Sequence, residues 1–186
     1  MLRLAVCVEI LVCWIAWWYP FLFRAPHVQK RASITVAGPS RIGLLLQSAA
    51  LILALNCHVP WEAPMSTARA IAAMIPGPVA VWLGWTAVAH LGRQFRIQAG
   101  LYEDHELVRS GPYAVVRHPI YSSMLALLLA MVVALTRPVW IGITLALYIA
   151  GTEIRVRTED GLLASRFPQE FADYRAKVPA YIPFVR

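Results

Sequence analysis

Apolar runs of bilayer length constrain this chain more than any other feature. Leu4–Phe23, Ile42–Val59, Ala70–Leu91, Ile120–Leu135 and Val139–Ile154 contain no lysine or arginine, and Glu9 and Glu153 are their only acidic residues. A hydrocarbon core of about 30 Å is crossed by roughly 20 helical residues. The first three runs reach that length, and the last two cross it with little tilt or with help from their flanks. Apolar residues make up 59% of the 186 and charged residues 15%, against an apolar share of about 45–50% in soluble domains. A soluble chain of this size has no interior large enough for that much apolar surface. The expected fold is all-α: a single polytopic membrane domain over residues 1–186, with about five transmembrane helices and a cytoplasmic C-terminal helical tail.

Local signals refine the spans. Trp14, Trp17, Trp18 and Tyr19 crowd the end of the first, as an interfacial aromatic belt does, and Pro20 marks its stop or kink. A signal peptide is the rival reading, but the run exceeds the usual apolar region of about 7–15 residues and no small-x-small cleavage site follows it. Gly38-Pro39 is a turn signal with Ser40 as the expected N-cap of span two. Pro76-Gly77-Pro78 breaks span three early. Thr136-Arg137-Pro138 is so short a link that spans four and five form an antiparallel hairpin.

The basic residues orient the spans. With five crossings, fourteen of the seventeen lysines and arginines fall on one side and only Arg3, Arg69 and Arg137 on the other. The positive-inside rule then places the N-terminus outside and the tail in the cytoplasm. The net charge of +7 is thereby a matter of topology. No basic cluster with interleaved aromatics points to nucleic acid. Cys7, Cys13 and Cys57 form no C-x-x-C pair, so neither a metal site nor a disulfide framework is expected. Beyond the last span, Leu163, Phe167, Phe171, Tyr174 and Val178 recur at helical spacing. Pro168 opens a new helix there, which predicts a tail of two short amphipathic helices.

The segment Leu107–Tyr121 sets Arg109, Arg117, His118, Tyr113 and Tyr121 between two apolar runs. Ionisable groups at a membrane edge mark a functional site by default. Three strings carry a resemblance: Gly111-Pro112-Tyr113 with Arg117-His118-Pro119-Ile120-Tyr121; Arg155-Val156-Arg157-Thr158-Glu159-Asp160; and Val178-Pro179-Ala180-Tyr181-Ile182-Pro183. In this order they resemble the isoprenylcysteine carboxyl methyltransferases, a group related to the phospholipid N-methyltransferases, over roughly residues 90–186. The resemblance implies methyl transfer from S-adenosylmethionine, with the cofactor site mainly in residues 93–121 and 155–183. It implies cofactor contacts at Gln98, His105, Glu106, Leu107, Val108, Tyr113, His118, Pro119, Ile120, Tyr121 and Glu159, and a catalytic, substrate-side role for Arg155. It implies no metal. The chain departs from the family's usual pattern at Ser123, where glycine is usual, at Asp160 for a second glutamate, and at Phe167-Pro168 for Phe-Gly.

Chemistry supplies an independent reading. Transfer at a sulfonium needs alignment and exclusion of water more than strong acids or bases. Tyr113 and Tyr121 offer faces to adenine or to the positive sulfur. Glu159 can accept from hydroxyls or an ammonium group. His118 and the amides opening span four can receive a carboxylate. Arg155 can fork the carboxylate of an acceptor. A glycine-rich nucleotide loop after a strand is missing from the sequence, which disfavours a Rossmann-type enzyme. Each residue also has a structural explanation: His118-Pro119 as a helix start, Glu159 and Asp160 as solvated charges, Arg155 as an anchor of span five, the tyrosines as belt aromatics. The ordered set favours the enzyme. The expected acceptor is lipophilic and enters from the bilayer, with an isoprenylcysteine-like carboxylate foremost. A phospholipid, a small amine or thiol, a membrane reductase using a nicotinamide cofactor, and a non-catalytic interaction protein remain open. The expected setting is a prokaryotic cell membrane, with the endoplasmic reticulum as the alternative.

Overall fold

The computed structural model describes residues 1–24, 32–35, 38–92, 100–102 and 106–185. Helix α1 (Leu2–Tyr19) runs into a π-helical turn at Pro20–Arg24. Pro20 has no N–H to give the carbonyl of Ala16, and the Trp85 indole donates to that oxygen instead at 2.8 Å. A short strand β1 (Ala32–Thr35) leads to α2 (Gly38–Asn56). Span three divides into α3 (Thr67–Met74) and α4 (Pro76–Leu91), with Ile75 between them still in the helical region. Strand β2 (Gly100–Tyr102), a 3-10 turn (Gly111–Ala114), α5 (Pro119–Ala134), α6 (Pro138–Arg166) and α7 (Pro168–Lys177) complete the chain. Four of the described segments are long and apolar enough to cross a membrane: Leu2–Phe23, Gly38–Asn56, Thr67–Leu91 and Pro138–Arg166. The shorter α5 traverses the bundle beside them.

The bundle is inside out relative to a soluble one. Its buried stripes are built largely of small side chains: Ser40, Gly43, Gln47, Ala50 and Ala54 on α2, and Gly77, Ala80, Gly84, Ala87 and Val88 on α4. Its outer surface carries Leu4, Leu11, Ile15, Leu45, Ile52, Ile75 and Trp82, each more than half exposed. Lipid is as apolar as leucine, so large side chains gain little by turning inward, whereas small ones let helices approach closely. At the α2–α6 seam, a Cβ on Gly151 would lie 2.6 Å from the Gly43 carbonyl oxygen.

Pairing between loops fixes which ends lie together. β1 and β2 form an antiparallel ladder, joining the connections after α1 and α4 at one end. At the other end His58 bridges Thr136, and Arg137 N donates to Cys57 O at 3.0 Å. All three arginines of that basic-poor end bind backbone carbonyls. Arg3 reaches Pro60 O and Ala63 O, Arg69 reaches Val133 O and Thr136 O, and Arg137 reaches His58 O.

Several expectations need correction. Ser40 does not cap α2; the helix begins at Gly38 with Pro39 in its first turn, and Ser40 is buried within it. The tail is not two separate short helices. Its first half continues the fifth span without a break, so α6 reaches Arg166, because no proline or helix-stopping turn intervenes between Ile154 and Phe167. Only Pro168 starts a new helix, at its first position as expected. The α5–α6 link is tight, but α6 packs principally on α2 and α5 on α4. The β1–β2 ladder has no counterpart in the sequence reading.

Candidate functional site

Gly111 begins the site. Its φ of +59° suits glycine, and a Cβ there would collide with the His90 ring. The turn it opens drives Tyr113 inward, where it is buried, and the Tyr174 hydroxyl donates to the Tyr113 carbonyl. Tyr174 comes from α7 and packs edge-on against the buried Phe171. After the turn, Arg117 N and His118 N donate to Pro179 O and Ala180 O at 2.9 and 2.8 Å. The Arg117 guanidinium binds Val178 O, and Ser122 Oγ donates to Tyr181 O. The Val178–Tyr181 string is therefore strapped across the start of α5, and Tyr181 OH ties it to Glu153 of α6 at 2.9 Å.

The continuous α6 carries three charged residues to the same place. Asp160 Oδ1 and Oδ2 accept from His118 Nε2 at 2.8 Å and from Arg117 Nη2 at 2.9 Å. Glu159 Oε2 lies 3.3 Å from His118 Nδ1, and the Tyr121 hydroxyl donates to Glu159 Oε1. Arg155, one turn earlier, is buried with its guanidinium 5.0 Å from the centre of the Tyr121 ring. Its Nη1 donates to Gln47 Oε1 of α2 at 3.1 Å.

The electrostatics follow from that geometry. Burial works against a charged His118, but hydrogen bonds and attraction from Asp160 and Glu159 outweigh it and raise its pKa to about 9. His118 is an imidazolium at neutral pH, with both ring nitrogens engaged. Three cations, Arg117, His118 and Arg155, thus meet two carboxylates, Glu159 and Asp160. Asp160 lies behind the histidine and is 10% exposed, whereas the Glu159 side chain is 27% exposed and faces outward. Among the described residues the buried Tyr113 hydroxyl has no hydrogen-bond partner, and burial followed by the charge of Glu159 keeps it protonated.

Of the residues expected at a site, Tyr113, His118, Pro119, Ile120, Tyr121, Arg155 and Glu159 come together around the start of α5. Glu106, Leu107 and Val108 lie on the irregular segment leading to Gly111. Among the described residues, no hydrogen bond or ion pair joins their side chains to the cluster. Gln98 and His105 lie outside the described residues. The sequence reading named Arg117 and Tyr174 only within their strings, with no contact assigned to either, and passed over Gln47 and Tyr148. Gln47 had a signal, as an amide side chain in the middle of an apolar run. Tyr148, which donates to Tyr121 O at 3.2 Å, had none.

The structural departures are absorbed. Ser123 is fully buried, accepts from the Trp17 indole at 3.0 Å and donates to Ile120 O at 2.7 Å. Gly84 makes room for it and for Trp17, since a Cβ at 84 would lie 2.7 Å from Trp17 Nε1. Asp160 is long enough to reach both cations of the Arg117-His118 pair. Among the described residues, no group of three or more His, Cys, Asp or Glu side chains could hold a metal ion.

Fold and site define a polytopic helical membrane protein with a buried charged cluster at one end of its bundle. Residues 74–165 match the model of the isoprenylcysteine carboxyl methyltransferase family. The cobalt-zinc-cadmium resistance protein CzcN of Cupriavidus metallidurans is 39% identical over 111 residues, 57% of this chain and 50% of its own length. The nickel-cobalt-cadmium resistance protein NccN of Alcaligenes xylosoxydans xylosoxydans is 31% identical over 148 residues, 77% of this chain and 64% of its own. A protein-S-isoprenylcysteine O-methyltransferase of Tribolium castaneum is 34% identical over 103 residues, 54% of this chain and 36% of its own. This chain therefore spans between 36% and 64% of the length of these relatives. Residues 74–165, just under half of this chain, are thus similar to the isoprenylcysteine carboxyl methyltransferase family.

Proposed function

We propose that this protein transfers a methyl group from S-adenosylmethionine to a lipophilic acceptor, and that the receiving atom is a carboxylate oxygen, as in an isoprenylcysteine. The donor set fits that cofactor. Glu159 is the outward-facing acceptor suited to ribose hydroxyls or an ammonium group, using lone pairs left over from His118 and Tyr121. Tyr113 brings a buried hydroxyl that has no partner among the described residues, and Tyr121 brings a π-face. Pro119 and Ile120 line the start of α5, with Glu106, Leu107 and Val108 leading toward it. Gln98 and His105 complete the contacts that the family resemblance implies. When bound, S-adenosylmethionine supplies an electrophilic methyl on a sulfonium whose leaving group is a neutral thioether.

The observation that carries the carboxylate reading is the condition of His118. Asp160 and Glu159 engage its two ring nitrogens and raise its pKa to about 9, which makes it a poor base for an amine or a thiol. A carboxylate is already ionised at neutral pH and needs no base. Arg155 has the charge and the planar fork to align it, and the alignment of nucleophile and methyl is most of what such a reaction requires. Topology agrees with this division of labour. The cluster lies at the basic-rich end of the bundle, the cytoplasmic end by the positive-inside rule, so cofactor arrives from the cytosol and acceptor from the bilayer. Residues 1–186 act as one domain, in a prokaryotic cell membrane or the endoplasmic reticulum.

The test combines S-adenosylhomocysteine binding with radiolabelled methyl transfer to a farnesylated cysteine, phosphatidylethanolamine and small thiols in parallel. S-adenosylhomocysteine should stabilise the protein against heat and NADPH should not. Glu159→Ala should weaken cofactor binding, while Arg155→Ala should spare it and depress turnover. Equal cofactor affinity in wild type and Glu159→Ala, or transfer to thiols alone, overturns the reading.

A further inference from the structure

Gln47 lies on α2, before the family-matched region begins at residue 74. It is 1% exposed in the seam between α2 and α6. Nothing in an apolar run calls for a primary amide, and an amide buried there is costly unless its hydrogen bonds are met. Two of them are. Oε1 accepts from Arg155 Nη1 at 3.1 Å, and Nε2 donates to Thr152 Oγ1 at 2.9 Å. The amide cannot be turned round, because a guanidinium only donates and must face the oxygen. The seam itself brings the pair together: a Cβ on Gly43 would lie 2.5 Å from Arg155 Cγ. The Arg155 stem therefore lies against the bare backbone of α2, one turn from Gln47. The guanidinium also lies over the Tyr121 ring, 5.0 Å from its centre, and Glu159 follows one turn along α6.

We infer that Gln47 is the positioning residue that holds the Arg155 fork toward the acceptor and makes the site select an anionic acceptor over a neutral one of the same shape. The inference rests on the carboxylate reading above and deepens it. A neutral partner matters here. Gln47 fixes the orientation of Arg155 without adding a countercharge to it. A carboxylate at position 47 would hold the same geometry, since the Thr152 hydroxyl can donate as well as accept. It would also neutralise Arg155 from behind. Geometry and charge can thus be separated by a single side chain.

The experiment compares wild type, Gln47→Glu and Gln47→Leu, each saturated with S-adenosylhomocysteine. Each is titrated with N-acetyl-S-farnesylcysteine and with its uncharged carboxamide, and methyl transfer to the carboxylate is followed in wild type. Wild type should prefer the carboxylate. Gln47→Glu should fold, bind S-adenosylhomocysteine as wild type does, and lose roughly tenfold or more of that preference, because a desolvated charge pair dominates such discrimination. Gln47→Leu should lose about three- to tenfold through disorder of the fork, with the affinity for the carboxamide little changed. A merely structural role would lower the yield of folded protein and leave the preference of the folded fraction unaltered. That result in Gln47→Glu, or a wild type without carboxylate preference, overturns the inference. A preference that is present and sensitive to residue 47, with no transfer to the carboxylate, refutes the proposed acceptor and leaves the positioning role standing.

Discussion

Replacing Gly151 by alanine should destabilise the protein, whereas the same change ten residues along α6, at Gly161, should stabilise it. The contrast follows from where each Cβ would fall. At Gly151 it meets the Gly43 carbonyl oxygen at 2.6 Å, the Gln47 backbone nitrogen at 3.0 Å and the Leu46 Cβ at 3.0 Å. The two closest are backbone atoms of a facing helix, so no side-chain rotation relieves the clash and α2 must move away from α6. Overpacking of that kind costs about 1–3 kcal/mol. At Gly161 a Cβ would have none of the described residues within 4 Å, and alanine in a helix interior is favoured over glycine by roughly 0.5–1 kcal/mol. Thermal unfolding in detergent reads both signs, at about 2–4 °C per kcal/mol for a chain of this size. Moving α2 also separates Gln47 from Arg155, so Gly151→Ala should weaken acceptor binding while Gly161→Ala leaves it alone. Unchanged thermal stability in Gly151→Ala, or a larger loss in Gly161→Ala, would refute the close-approach argument.

Other outcomes follow from the charged cluster and its supports. Asp160→Asn removes the partner of two buried cations and should cost about 3–5 kcal/mol, read as loss of thermal stability that added S-adenosylhomocysteine does not restore. His118 has a folded pKa of about 9, above its unfolded value near 6.5. Its contribution, about 3 kcal/mol, should be complete below pH 6.5 and decline as pH rises through 9. A melting-temperature profile from pH 6 to 10 should show that decline in wild type and lack it in His118→Gln. Ser123→Ala strands the buried Trp17 indole and should cost about 1–3 kcal/mol; equal melting temperatures for wild type and Ser123→Ala would count against the latch.

Legibility varied with how local each cause was. The spans, the proline at the head of α5 and the break after Met74 were readable because apolar length and missing N–H groups act within a few residues. The basic asymmetry was readable too, but its exceptions were not. Arg3, Arg69 and Arg137 sit at the basic-poor end, where each binds a backbone carbonyl of a distant segment. The tail was misread because amphipathic spacing after Ile154 looks the same whether the helix restarts or simply continues. Glu159 and Asp160 could be picked out as an acidic pair, but not which of them faces outward. Adjacent residues on a helix point about 100° apart, and only the packing of α6 against α5 assigns Asp160 to the buried side of His118 and Glu159 to the open side.

Composition alone determined that this chain is a helical bundle in lipid, and the ordered polar strings alone determined its family region. Both are properties of the chain read along its length. Hydrophobic transfer into a bilayer depends on how many apolar residues stand together, not on their neighbours in space. What the tertiary structure decided is the charge state and direction of the site. His118 becomes a fixed cation only when α6 brings two carboxylates to it, and Arg155 is aimed only when glycines on α2 and α6 let Gln47 come within hydrogen-bond reach. Those effects depend on distances of a few ångströms between residues that are 38 to 108 positions apart, and Coulomb and hydrogen-bond energies fall away too steeply for sequence order to carry them.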